Sequence, residues 1–128
     1  MLAGILASLK LPNIFEREVT PLSVSAGDVI YSEGETTNAM YVVQSGEVEI
    51  KIRDKSMEVV GPDGFFGEMA LIDQSRRTGT AIAKSDCTII PISEKHFLFM
   101  VEETPLFALA VMRTMVARFR RGMGLSSL

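Results

Sequence analysis

The spacing of apolar residues changes twice along this chain. Leu2, Ile5, Leu6 and Leu9 fall at i, i+3, i+4 and i+7, which predicts a short amphipathic helix that ends near Pro12. From Val19 to Ile92 the rhythm becomes that of short strands broken by Gly, Asp and Pro. The clearest strand is Glu47 to Arg53. Val48, Ile50 and Ile52 take one face and Glu47, Glu49, Lys51 and Arg53 the other. Ser45-Gly46 is expected to join it to Met40–Gln44 as a tight hairpin. Ala26-Gly27-Asp28 and Glu33-Gly34-Glu35 read as turns around a strand at Val29–Tyr31. Ser56–Val60, Thr78–Ala83 and Cys87–Ile92 supply further strands. After Ile92 the helical period returns. Ser93 is placed to cap a helix carrying Phe97, Met100 and Val101 on one side. Thr104-Pro105 starts a second helix that runs to about Arg121 and weakens at Gly122 and Gly124.

This order predicts a mainly β fold with flanking α: a sandwich or a jelly roll (double-stranded β-helix), the latter preferred, between an N-terminal helix and two C-terminal helices. One domain over 1–128 is expected, with the N-terminal helix at 1–12, the β-roll at 17–92 and the C-terminal helices at 93–122.

Composition narrows the chemistry. The chain has 128 residues, and 47% of them are hydrophobic, enough for a core. A net charge of −3 gives no overall basic footprint for nucleic acid. Cys87 is the only cysteine and His96 the only histidine, so no internal disulfide, no Cys-rich metal site and no multi-histidine metal centre is expected. No Walker-type loop or nucleophile motif is present, which argues against an enzyme. Met1 to Leu9 carries no basic residue before its apolar part, so it does not read as a signal peptide. No apolar run is long enough to span a membrane. A cytoplasmic location is the expectation.

The most informative stretch runs from Phe65 to Ala81. Gly67 would let the backbone approach a ligand closely. Glu68 to Ile72 can form one helical turn whose free N–H groups attract an anion. Arg76 and Arg77 follow, just before a Thr-rich strand; an arginine folded back over such a turn gives bidentate phosphate contact. Glu68 would repel that phosphate unless it accepts hydrogen bonds from neighbouring sugar hydroxyls. A cyclic ribose phosphate presents both groups. The plainer interpretation is a Gly-Glu turn and a solvated arginine pair.

The stretch resembles the phosphate-binding cassette of the cyclic-nucleotide-binding domain family, which includes kinase regulatory subunits, cyclic-nucleotide-gated channels and the catabolite activator protein. Gly67-Glu68-Met69-Ala70-Leu71 matches the first half of the cassette pattern and Arg77-Thr78 the second. Gly27-Asp28-Val29-Ile30, Glu33-Gly34, Met40-Tyr41-Val42-Val43 and Ser45-Gly46-Glu47-Val48 agree with the rest of the family pattern.

The resemblance implies a short cassette helix within 67–78 and a ligand-binding set of Gly67, Glu68, Met69, Ala70, Arg77 and Thr78. Glu68 would take the ribose 2′-hydroxyl and Arg77 the exocyclic phosphate oxygens; backbone N–H groups of Ala70 and Thr78 would share the phosphate. Arg76 is the alternative ligand if the variable piece is one residue shorter. Thr78 can serve either cAMP or cGMP, with cAMP favoured. No further cofactor and no metal is implied. In the family the last helix acts as a lid over the base, which makes Arg121, Met123 and Leu125 the lid candidates. Leu71 and Ile72 would pack near the helix hinge. Arg118, Arg120 and Arg121 otherwise read as complements to the helix dipole. Phe107, Val111 and Met115 form one helical stripe. Leu109, Met112, Val116, Phe119 and Met123 form a second at coiled-coil spacing, a candidate homodimer surface. Direct DNA binding is not expected, and the downstream effector is unknown. The competing function is a ligand-free domain of the same fold used for protein interaction or oligomerisation.

Overall fold

The computed structural model describes residues 20–122. The expected helix at 1–12 and the lid candidates Met123 and Leu125 lie outside them. The described residues form eight strands: β1 (Leu22–Val24), β2 (Val29–Tyr31), β3 (Ala39–Ser45), β4 (Val48–Ile52), β5 (Lys55–Val60), β6 (Phe65–Phe66), β7 (Thr80–Ala83) and β8 (Cys87–Ser93). The helices are α1 (Glu68–Asp73), α2 (Glu94–Glu103) and α3 (Pro105–Gly122). The strands make two four-stranded sheets in the orders β1-β8-β3-β6 and β2-β7-β4-β5. Every pairing is antiparallel. This is the β-roll expected from the sequence, with helices against one sheet. No helix among the described residues is long and apolar enough to cross a membrane.

One local expectation is overturned. Ser45-Gly46 is not a hairpin turn, because β3 pairs with β6 and β8 whereas β4 pairs with β5 and β7. The dipeptide carries the chain from one sheet to the other. Gly46 has φ +83°, and a Cβ there would lie 2.3 Å from the Asp86 carbonyl oxygen. A hairpin and such a corner both need a left-handed glycine, so the dipeptide alone cannot distinguish them. The two-residue hairpin is instead Arg53-Asp54, where both residues have positive φ and Ile52 faces Lys55.

Two apolar cores result, separated by the sheet that contains β3. Val43, Val48, Val60, Phe66, Ala81, Ala83 and Ile89 pack inside the roll. Met40, Val42, Phe65 and Ile92 pack outward against Leu71, Met100, Phe107 and Val111 of the helices. Period two explains the division, since adjacent residues Val42 and Val43, and likewise Phe65 and Phe66, enter opposite cores. The helix starts follow the sequence signals. Ser93 Oγ accepts from the His96 N–H at 3.2 Å, and Pro105 opens α3.

Candidate functional site

The site grows out of the end of β6. Gly67 takes φ +81°, ψ 8° at the N-terminus of α1, and no side chain caps that helix. A Cβ at Gly67 would stand 2.6 Å from an Arg77 guanidinium nitrogen and 3.4 Å from the Tyr31 ring. The backbone angle therefore favours glycine, and any Cβ there would displace the tip of the Arg77 side chain. Gln74, at φ 56°, ends α1. The chain then returns to Arg77, whose backbone is fastened to the Glu33-Gly34-Glu35 turn. The Arg77 N–H donates to the Glu35 carbonyl at 2.8 Å, and its own carbonyl accepts from the Gly34 N–H at 2.9 Å.

These bonds direct the Arg77 side chain inward, where the residue is 5% exposed. One terminal nitrogen donates to the Gly67 carbonyl at 2.8 Å and the other to the Ala39 carbonyl at 2.6 Å. The guanidinium carbon lies 3.9 Å from the Tyr31 ring centroid and 6.0 Å from that of Tyr41. The Nε is buried without a hydrogen-bond partner. Arg77 forms no ion pair among the described residues. Burial lowers its pKa, against the raising influence of Tyr31, Tyr41, Glu35 and Glu68. Burial likewise pushes the Tyr31 phenol from 10.0 to about 12, with Arg77 opposing.

Glu68, one residue beyond Gly67, is 2% exposed. Its carboxylate accepts from Arg118 of α3 at 2.6 Å. The same guanidinium donates through Nε to Glu58 of β5 at 2.7 Å and through its remaining nitrogen to the Phe65 carbonyl. Arg121 donates to the other Glu58 oxygen at 3.0 Å. Burial draws the Arg118 pKa down, but Glu68 and Glu58 together outweigh that and raise it. A cleft of about 300 Å³ flanks this network, lined by Glu58, Val60, Phe65, Ala110, Thr114 and Arg118 among others.

The arrangement thus places a buried cation, in no ion pair among the described residues, beside a glycine-led helical turn, and a buried carboxylate beside both. The cyclic nucleotide-binding domain pattern matches residues 21–104. The chain belongs to the cyclic nucleotide-binding domain family. The cyclic AMP receptor protein of Thermus thermophilus is 27% identical over 111 residues, which span 83% of this chain and 50% of the receptor. A cyclic nucleotide-gated potassium channel of Rhizobium etli is 30% identical over 102 residues, 80% of this chain and 28% of the channel. The chain therefore spans half or less of these relatives. In fold it matches the catabolite activator protein of Thermus thermophilus with a TM-score of 0.76 at 23% identity, covering 86% of this chain and 54% of that one.

Within this cyclic nucleotide-binding domain, the structure brings Gly67, Glu68, Ala70 and Arg77 together around α1. Met69 points outward, 51% exposed, and Thr78 is exposed next to Arg77. Arg76, the alternative phosphate ligand, lies outside and donates to the Gly34 carbonyl at 3.0 Å. Arg121, the one lid candidate among the described residues, reaches Glu58. Arg118 is more than a complement to the helix dipole, since it fastens α3 to both β5 and the cassette. Sequence reasoning missed Arg118 in this role, and missed Glu58 and Tyr31. A signal for Arg118 exists: it continues the Phe107–Val111–Thr114 face, so a cation stands on the stripe that packs inward.

Proposed function

We propose that this domain is a regulatory sensor that binds a cyclic nucleotide through Gly67, Glu68, Met69, Ala70, Arg77 and Thr78. The observation that carries the reading is the Arg77 guanidinium, 5% exposed and in no ion pair among the described residues. A buried cation is costly unless compensated. A cyclic phosphate beside α1 supplies the missing charge, with Arg77 and the unsatisfied first-turn amides as donors. Glu68 then takes the ribose hydroxyl next to that phosphate. Cyclic AMP is favoured over cGMP for this chain, since its relative in Thermus thermophilus is a cyclic AMP receptor protein. A regulatory role is in keeping with another relative, a cAMP-dependent protein kinase regulatory subunit of Eremothecium gossypii. A cytoplasmic setting suits the free Cys87.

The same geometry supports a route for the signal. Glu68 is already bonded to Arg118 of α3, so a ribose hydroxyl arriving there must share or displace that bond. Binding would thereby bias the position of α3, a two-state element. The second stripe of α3 is available to a second copy of the chain. Leu109, Met112, Val116 and Phe119 are 37%, 55%, 50% and 67% exposed. Light scattering with and without nucleotide tests that dimer.

Calorimetric titration of the chain with cAMP and with cGMP tests the function. The expected result is saturable binding of both, with cAMP tighter. The absence of binding to either would leave the interaction-domain alternative, and tighter cGMP would reverse the preference.

A further inference from the structure

Resting on the proposed function, we infer that Tyr31 is a positioning residue for phosphate recognition: its ring face, in place of a carboxylate, holds the Arg77 guanidinium where the phosphate meets it. The usual way to fix a buried arginine is a carboxylate, but a carboxylate neutralises the charge and competes with the phosphate for its donors. An aromatic face attracts the cation through the ring quadrupole and carries no net charge. The Arg77 carbon stands 3.9 Å from the Tyr31 centroid, within stacking distance. Its two bonded nitrogens are held by neutral carbonyls, those of Gly67 and Ala39.

The ring is itself fixed. Tyr31 is 8% exposed and packs at 6.1 Å from Phe66 and 6.3 Å from Tyr41, which in turn stack 5.3 Å apart. The guanidinium therefore lies over Tyr31, with Tyr41 beside it, and Phe66 from a third strand backs both rings. Gly67 completes the seat, because a Cβ there would displace the Arg77 guanidinium. The chain meets the electrostatic demand of a buried cation only in part, and phosphate supplies the rest.

The test is a substitution series at position 31 in the full chain, read by calorimetric titration with cAMP and cGMP. Tyr31→Phe keeps the π face and should bind within about twofold of the unaltered chain. Tyr31→Leu should bind on the order of tenfold more weakly. Phenylalanines bearing one and then three ring fluorines, incorporated at position 31, preserve shape while weakening the quadrupole. Affinity should fall in step with fluorination. A role in packing alone would leave that series flat, and a flat series in a chain that binds nucleotide overturns the inference while leaving the proposed function standing. If Tyr31→Leu does not fold, as judged by its melting midpoint without nucleotide, the fluorinated series decides alone. If the unaltered chain binds neither nucleotide, the proposed function fails and this inference falls with it.

Discussion

Among the described residues Arg118 is half-buried and Arg77 buried, and their surroundings are opposite. Arg118 meets two carboxylates, at 2.6 and 2.7 Å, and its pKa is raised. Arg77 meets two carbonyls and an aromatic face, and its pKa is lowered. The first guanidinium is neutralised by its neighbours and works as a cross-link between α3, β5 and the cassette. The second forms no ion pair among the described residues, and Glu35 and Glu68 offset its burial only in part. The contrast shows how one chain can use the same side chain for structure and for recognition. What separates the roles is whether the partner is charged.

The sharpest way to break this comparison is to remove each arginine and read stability and binding separately. Arg118→Ala leaves Glu68 buried without its cation, which should cost roughly 3–5 kcal/mol of unfolding free energy in a denaturant titration. Adding Glu68→Gln should restore much of that loss. Arg77→Ala should leave stability far less affected but weaken nucleotide binding about a hundredfold or more, from the roughly 2–5 kcal/mol attached to a buried charge contact. Equal destabilisation by the two substitutions would mean that the two sites do not differ in kind.

Alkaline pH probes the aromatic side of the contrast. The Tyr31 phenol titrates at 10.0 when exposed and at about 12 when folded. A raised folded value means that the neutral form stabilises the fold. The contribution is complete below pH 10.0 and is lost as pH rises toward about 12. Melting midpoints should fall across that window by the equivalent of roughly 2 kcal/mol, and Tyr31→Phe should remove this part of the fall. The smallest expected effect is at the rim. Arg121 is 54% exposed in its pair with Glu58, so Arg121→Ala should change stability by less than about 1 kcal/mol, and less still at high salt.

Much of this was legible in the chain itself. Alternation in Val48–Ile52 and the turn glycines located the strands, and Ser93 and Thr104-Pro105 located the helix starts. The cassette was legible through its resemblance to the family pattern, in Gly67-Glu68-Met69-Ala70-Leu71 and Arg77-Thr78. What escaped depends on distant partners. Gly46 reads as a hairpin until β3 and β4 are known to lie in different sheets. Arg118 reads as a helix-end charge until α3 is laid across β5. Tyr31 reads as one more core aromatic, since nothing near it in sequence announces the guanidinium that arrives 46 positions later, at Arg77. Packing between remote segments, which composition and period do not encode, decided all three.

β6 is two residues long, with Phe65 turned toward the helices and Phe66 toward the roll interior, and Gly67 follows at once. Close-packed interiors have little give. So short a strand offers no slack between the glycine and the two rings anchored behind it. Any tug on Gly67 is therefore felt on both sides of the sheet at once, as a pull on a short rivet is felt in both plates.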